Sequence, residues 1–166
     1  MLFDKLFKKK EEPPAPATPK APENVYEFVI KCNDEKSIKA LSEYQKEWTD
    51  SDDKYEGMTM KDLKESCRFD EKIYKYPPID VPVKLTAFLG DDGSVDISGY
   101  VVDGDNKILV GMAAKTKAKK ILKILQEESP SIAGELYGGN YWKLESSGYV
   151  DDAWSDQLTV RVTLQW

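Results

Sequence analysis

The sequence contains no histidine, and only two cysteines occur among its 166 residues. Without histidine the chain has no Ser-His or Cys-His nucleophile pair, no His-containing zinc site and no imidazole base near neutral pH. Cys32 and Cys67 stand far apart and in no metal-ligand spacing, so we expect reduced thiols, at least one in the core, with a disulfide as the alternative. Acidic residues are plentiful, but no pair stands out by its spacing. The sequence therefore predicts no cofactor, no metal site and no enzymatic activity.

Long apolar runs are also missing, since no run approaches the roughly 18 residues that a membrane-spanning helix needs. Nothing resembles a signal peptide, and Leu2 in place of glycine excludes N-myristoylation. We therefore expect a cytoplasmic protein. The formal net charge of −6 argues against an indiscriminate nucleic-acid binder, which is normally basic, but it allows a local basic patch.

The first 23 residues are predicted to lie outside the folded domain. Residues 1–10 form a basic amphipathic stub suited to an anionic membrane surface or a protein partner. Its apolar side consists of Leu2, Phe3, Leu6 and Phe7. A disordered tail is the alternative, because isolated helices shorter than about 12 residues are marginal in water. Residues 11–23 contain five prolines and no large apolar residue, which is typical of a linker.

Residues 24–166 predict a single globular domain that begins with a strand at 25–31. Asn33 or Asp34 is expected to cap a helix that reaches about Trp48. Thr59 and Asp62 have the spacing of a capping box for a second, short helix. The acidic segment 49–57 between these helices lacks the register of a calcium loop, so we expect a solvated loop.

The rest of the domain predicts mostly antiparallel strands. Alternating residues mark strands at 81–89 and 95–102, and a turn at 103–106 leads into an apolar strand at 108–114. Strand-like segments at 132–137 and 140–145 flank Gly138 and Gly139, and a polar loop at 146–156 precedes an alternating strand that ends at Trp166. We therefore predict an α+β, mainly β fold, a small partly closed antiparallel β-barrel of about six strands with two or three helices.

The stretch 107–126 joins a buried strand to an amphipathic helix and carries the main candidate binding residues. The helical stripe consists of Ala118, Ile121, Leu122 and Leu125. Thr116 stands where an N-cap is expected. The lysines around this corner are Lys115, Lys117, Lys119, Lys120 and Lys123.

These lysines break a local rule, because positive charge is mildly unfavourable at a helix N-terminus. Glu127 and Glu128 are unfavourable near the C-terminus for the same reason. Local rules broken together often mark a functional surface, so we interpret the corner as a phosphate or anion site. A solvated lysine face without a ligand is the alternative.

A second candidate lies around the glycine pair Gly138-Gly139. The nearby Tyr141 and Trp142 offer flat faces for base stacking, which beside lysines is how barrel-type domains hold single-stranded nucleic acid. A β-bulge with the aromatic side chains in the core is the alternative. The glycines do not form a phosphate-loop motif.

The order of these segments resembles the bacterial HIRAN-like domains over residues 24–166. The resemblance rests on 70–76 (DEKIYKY), a strand around Val83, the hairpin into 108–111 (ILVG), the helix at 117–126, 134–140 (GELYGGN) and a closing strand. It implies a compact barrel of about six strands with two helices. Some members, attached to DNA-remodelling helicases, grip the 3′ end of single-stranded DNA.

One segment departs from that family. Members commonly carry an Asn-Pro-Tyr-Asp-like stretch before the central hairpin, and its Tyr and Asp belong to the DNA-end pocket. Here residues 91–96 (DDGSVD) occupy that place, with Gly93 and Ser94 where Tyr and Asp are expected. The resemblance therefore supports the architecture more than the activity.

Two hypotheses follow. The first is a non-enzymatic HIRAN-like module that binds single-stranded nucleic acid weakly through the five lysines, with Tyr141 or Trp142. The alternative is a protein-interaction or membrane-surface adaptor, peripheral to the membrane and tethered by residues 1–10.

Overall fold

The computed structural model describes residues 24–166, which form three α-helices, a 3₁₀ segment and eight β-strands. The helices are α1 Glu35–Glu47, α2 Met60–Glu65 and α3 Lys115–Glu127, and the 3₁₀ segment is Ser51–Gly57. The strands are β1 Val25–Lys31, β2 Lys72–Tyr74, β3 Ile79–Val81, β4 Val83–Leu89, β5 Val95–Asp103, β6 Asn106–Met112, β7 Ser131–Leu144 and β8 Val150–Gln165. The amphipathic stub and the linker predicted at 1–23 lie outside the described residues.

The strands form two antiparallel sheets. The first has the order β1-β8-β7-β2, with β3 also paired to β7, and the second has the order β4-β5-β6. The predicted α+β, mainly β class is confirmed. Among the described strands the hydrogen-bonded pairing leaves the two sheets separate, so the predicted partly closed barrel is not confirmed.

The two longest strands, β7 and β8, pair with each other along almost their whole length, from Ser131 opposite Gln165 to Leu144 opposite Val150. The β-bulge expected as the alternative at the glycine pair is therefore confirmed, whereas the loop predicted at 146–156 is confined to a short turn before Val150. A register shift between Tyr137 and Gly139 lets the backbone bend without ending the pairing. Beyond a short turn, the polar residues that suggested a loop lie on the solvent-facing part of β8.

The main core lies between the two sheets and the helices α1 and α3. As predicted, alternate residues of the last strand are buried, namely Leu158, Val160, Val162 and Leu164. Burying each such side chain stabilises the fold by roughly 1.5–3 kcal/mol. A second, smaller cluster joins Leu63, Ile73, Leu144 and Val150 at the far end of the β7–β8 pair.

Two of the predicted helix starts are confirmed. Asp34 caps α1, since its Oδ2 accepts a hydrogen bond from the backbone N of Ser37 at 2.9 Å. Thr59 and Asp62 form the reciprocal capping box at the start of α2. Both caps satisfy backbone N–H groups that have no partner inside the helix.

The predicted N-cap of α3 was wrong. Ala114 occupies that position without a side-chain hydrogen bond, and Thr116 lies inside the first turn. Burial of Ala118, Ile121 and Ile124 stabilises the helix in the absence of a side-chain cap, since packing contributes more to helix stability than a cap does. The buried stripe is also wider than predicted, since Ile124 joins Ala118 and Ile121.

The two cysteines are free, and Cys32 is buried whereas Cys67 is exposed, which confirms the expectation of reduced thiols. Burial raises the pKa of the Cys32 thiol. Within residues 24–166 no group of His, Cys, Asp and Glu side chains is arranged to hold a metal ion. No helix in this range is long and apolar enough to cross a membrane.

The bulge in β7 should depend on glycine at position 138. Gly138 has a φ of +103°, and a Cβ there would stand 2.5 Å from the carbonyl oxygen of Gln157. We expect Gly138→Ala to lower the free energy of unfolding by about 2 kcal/mol or more, because strained backbone and a backbone clash add. Urea denaturation measures this loss.

Gly148→Ala is the matched control. Its φ of +82° is also positive, but a Cβ there has nothing within 4 Å, so a loss of only about 1 kcal/mol is expected. Equal losses in the two variants would show that the contact with Gln157 does not matter.

Candidate functional site

The lysines of α3 lie on its solvent-facing side. Lys115, Lys119 and Lys123 are exposed and form one row, since residues four apart are neighbours on a helix surface. Lys120 is exposed on the flank toward β1, and Lys117 is half-buried. The structure thus brings four of the five predicted lysines onto one accessible surface, which we call the α3 lysine surface: Lys115, Lys119, Lys120 and Lys123.

Acidic residues stand at both ends of this surface. Hydrogen bonds from Ser94 lower the pKa of Asp92, and the charge of Lys115 contributes to that shift, so the β4–β5 turn approaches the start of α3. At the other end Lys123 Nζ lies 3.7 Å from Glu127 Oε2. Exposed ion pairs of this kind contribute at most about 1 kcal/mol, and an anionic ligand can replace them at little cost.

A groove of about 500 Å³ separates α3 from β1 and the C-terminal residue. Its walls include Tyr26, Lys120, Lys123 and Trp166. Lys120 Nζ lies 4.1 Å from the centre of the Tyr26 ring, and this cation–π contact holds the ammonium beside the groove. Sequence reasoning missed Tyr26 and Trp166 as neighbours of the lysines, because strand pairing brings them there from opposite ends of the domain.

Tyr141 and Trp142 lie elsewhere. They lie opposite Tyr74 and Ile73 of β2. About ten residues of β7 separate them from the start of that strand, which follows α3 in the chain. Ten residues of extended strand span roughly 30 Å. Trp142 stacks on Tyr55 with ring centres 3.6 Å apart, and Tyr141 is buried with its ring edge toward Tyr74. The structure therefore does not bring these aromatic side chains to the lysines.

A polar cluster surrounds Asp156 on β8. Lys72 Nζ lies 2.8 and 2.7 Å from the two carboxylate oxygens, and the Tyr74 hydroxyl donates to the same group. Burial of Asp156 opposes its ionisation, but the hydrogen bonds from Lys72 and Tyr74 outweigh that effect and lower its pKa. Burial and the bond to Asp156 raise the pKa of Tyr74. The carboxylate is thus held ionised.

Beside this cluster a cleft of about 470 Å³ opens between α1 and the bulge of β7. We call it the α1 cleft, and its polar walls include Asn33, Ser42, Gln45, Lys75, Tyr76, Asn140, Asp156 and Gln157. Gln157 Nε2 donates to the backbone oxygen of Cys32 at 2.9 Å and to Asn33 Oδ1. These bonds tie the start of α1 to β8 and shape one wall of the cleft.

Sequence reasoning did not find this cleft. Lys72 and Asp156 are 84 residues apart, and no local pattern relates them. One signal was present at Gln45, which is a polar residue in the apolar stripe of α1 and is 1% exposed in the fold. A buried amide at such a position indicates either a hydrogen-bond partner or a ligand.

Comparison of the chain with protein-family models, curated proteins and solved structures finds no match. The resemblance to HIRAN-like domains therefore stays a prediction. The membrane or partner contact through Leu2, Phe3, Leu6 and Phe7 also stays a prediction, since those residues lie outside the described part of the chain.

The Asp156 cluster should make stability depend on pH. Asp156→Asn removes the charge that accepts from Lys72, and we expect it to lower the free energy of unfolding by about 1 kcal/mol at neutral pH, because both partners are partly solvated. The folded-state pKa of Asp156 lies below its usual value of 3.8. The stabilisation is therefore present above that value and is lost as the pH falls through the folded-state pKa.

Urea denaturation of both proteins between neutral and acid pH measures this difference. The gap should stay nearly constant from about pH 7 to 5 and shrink below about pH 4. Asp152→Asn, an exposed carboxylate on the same strand, should show no comparable gap. A gap for Asp156→Asn that widens in acid would contradict the assignment.

Proposed function

We propose that the domain is a non-enzymatic binding module that takes an acidic polymer, single-stranded nucleic acid, along the α3 lysine surface. The observation that carries the proposal is the exposed row of Lys115, Lys119 and Lys123 with Lys120 fixed beside it on the Tyr26 ring. Consecutive lysines of this row are one helical turn apart, so their ammonium groups can contact successive phosphates of a nucleic-acid backbone. Lysine binds phosphate as a point charge.

The charge of the whole chain limits the mode of binding. A formal net charge of −6 repels a polyanion at long range, so attraction acts only close to the helix, within about one Debye length of 10 Å at 0.1 M salt. Binding through four lysines is accordingly weak and strongly dependent on salt.

The aromatic partner in this proposal is Trp166 rather than Tyr141 or Trp142. Lys120 covers one face of the Tyr26 ring, whereas Trp166 is half-exposed on the wall of the same groove. A base stacked on an aromatic side chain contributes about 1–3 kcal/mol. The lysines around this groove would contact the phosphate backbone, and the tryptophan would stack on a base. Together these two contacts give binding that tolerates any base sequence.

The architecture in this proposal is that of a HIRAN-like, partly closed barrel. Two features support it. A single residue, Pro82, separates β3 of the first sheet from β4 of the second. At the other side β6 approaches β1 so closely that a Cβ on Gly111 would stand 2.6 Å from the carbonyl oxygen of Lys31.

Replacing the lysine row should weaken binding of a fluorescent single-stranded oligonucleotide. For Lys115→Gln, Lys119→Gln and Lys123→Gln combined, we expect at least about a tenfold loss of affinity at about 50 mM salt. The slope of log K against log salt should fall by about 2, since each phosphate contact contributes about 0.7. Fluorescence anisotropy at several salt concentrations measures both quantities.

The control is the triple variant of three exposed lysines on α1, Lys36→Gln, Lys39→Gln and Lys46→Gln. This variant changes the net charge by the same amount. If binding is confined to the α3 lysine surface, we expect little loss of affinity in it. No binding by the unaltered chain at about 50 mM salt, where phosphate contacts are strongest, or equal losses in the two variants, would refute the proposal.

The choice of aromatic residue is tested separately. Trp166→Leu keeps an apolar side chain but removes the stacking face, and we expect affinity for the oligonucleotide to fall about tenfold. Trp142→Phe keeps a ring against Tyr55 and should leave the affinity unchanged. The same anisotropy titration measures both variants, after urea denaturation has shown that each is folded. A loss confined to Trp142→Phe would restore the stacking site predicted from the sequence.

A further inference from the structure

The second sheet carries exposed apolar side chains on the face that points away from the core. Along β5 buried residues alternate with partly buried ones, so one face of this sheet packs on the core and the other meets solvent. Phe88 of β4 and Leu109 and Met112 of β6 belong to the solvent face, since their partners on β5 are all partly buried. Phe88 is 67% exposed, Met112 60% and Leu109 40%.

These side chains form one surface rather than scattered contacts with water. Leu109 pairs with Tyr100 and Met112 pairs with Ser98, and β4, which carries Phe88, lies on the other side of β5. Three neighbouring strands span about 10 Å, so Phe88 and Met112 flank the small Ser98 side chain. We call this surface the β5 outer patch: Phe88, Ser98, Tyr100, Leu109 and Met112. A contiguous exposed apolar surface of this kind marks a contact site.

The β5 outer patch is surrounded by acidic residues. Aspartates lie on its face and at both ends of its strands: Asp91, Asp92, Asp96, Asp103 and Asp105. Residues 83–112 contain these five aspartates and two lysines, which gives a formal net charge of −3. The chemistry of the patch therefore fits an occupant that is apolar on one side and basic around it.

Residues 1–10 have this complementary composition. They contain four lysines and one aspartate, a formal net charge of +3, beside the apolar side chains Leu2, Phe3, Leu6 and Phe7. The other two candidate occupants carry the wrong charge. A second copy of the patch would place one acidic rim against another, and an anionic membrane would repel that rim, whereas like charges in contact oppose binding.

The linker is long enough to bring residues 1–10 to the patch. The described chain begins at Asn24, whose N donates to the Trp166 oxygen at 3.0 Å. The seven residues of β1 span roughly 23 Å and end at Lys31, against which Gly111 of β6 is packed. The 13 linker residues 11–23 reach about 40 Å as polyproline II. A tether of this length gives a local concentration in the millimolar range, so a weak contact suffices.

We propose that residues 1–10 dock on the β5 outer patch of their own chain. Their apolar side chains cover Phe88, Leu109 and Met112, and their lysines lie beside the surrounding aspartates. Docking hides two apolar surfaces at once, and release of the segment exposes both. The contact uses none of the residues of the α3 lysine surface, so it stands or falls separately from nucleic-acid binding.

The test compares amide spectra of the ¹⁵N-labelled full chain with those of its Phe3→Ser, Phe7→Ser variant. Since these changes remove the two rings that would cover the patch, we expect resonances of β4, β5 and β6 to shift, most of all at Ser98 and Met112. Resonances in the rest of 24–166 should stay in place. Ala15→Ser with Ala17→Ser is the matched control, because it adds the same two hydroxyl groups in the linker, and it should leave the spectrum of 24–166 unchanged.

The reciprocal variant changes the patch. Phe88→Gln with Met112→Gln should shift the resonances of residues 2–7, and adding the Phe3 and Phe7 changes to it should cause no further shift in β4 to β6, because contacting groups are coupled. Phe69→Gln with Met60→Gln is the matched control, since these side chains are 48% and 41% exposed at the other end of the domain. If the patch variant fails to fold, the comparison of the Phe3, Phe7 variant with the unaltered chain decides alone.

Three results would overturn the proposal. The first is identical spectra of 24–166 in the unaltered chain and the Phe3, Phe7 variant; co-sedimentation of the unaltered chain with phosphatidylserine vesicles would then assign residues 1–10 to a membrane surface. The second is shifts that lie outside β4 to β6, which would place the segment on another surface. The third is shifts that disappear on about tenfold dilution, since a contact within one chain does not depend on protein concentration whereas a contact between copies does.

Discussion

The antiparallel pairing of β7 with β8 is the interaction on which the other elements depend. Its register places β1 and the short strands β2 and β3 along its two edges and points four alternate residues of β8 into the core. Because side chains alternate with a period of two, a slip by one residue would turn that apolar set toward solvent. The bulge at Gly138 is the point where the long ribbon bends, and the α1 cleft opens there.

Features set by neighbouring residues could be predicted from the sequence. The cap at Asp34, the capping box of Thr59 and Asp62 and the alternation of the last strand need only a few adjacent positions, and all are confirmed. The glycine pair was ambiguous for a physical reason. Glycines with positive φ values occur both in turns and in β-bulges. Which of the two forms depends on how the partner strand pairs, and that strand is distant in sequence. The barrel expectation depended on contacts between distant edges, which local patterns do not specify.

In the candidate sites, too, features set by neighbouring residues could be predicted, whereas those set by contacts between distant segments could not. The exposure of the α3 lysines follows from the phase of one helix and could be predicted. Their aromatic neighbours depend on β1 and the chain end meeting at α3, so Tyr141 and Trp142 were plausible from the sequence although the fold places them at the far end of the ribbon. Gln45 was visible as a polar residue in an apolar stripe, but its unpaired amide becomes evident only when the cleft is assembled around it.

Lysines at the start of α3 and glutamates at its end oppose the helix dipole, and the helix has no side-chain cap. Its 13 residues would be mostly random coil if cut out as a peptide, because isolated helices of this length are marginal in water. Burial of Ala118, Ile121 and Ile124 in the domain enforces the helix. The regular spacing of the α3 lysines therefore depends on the tertiary structure. Unfolding the domain would abolish the basic row although every lysine would still be present.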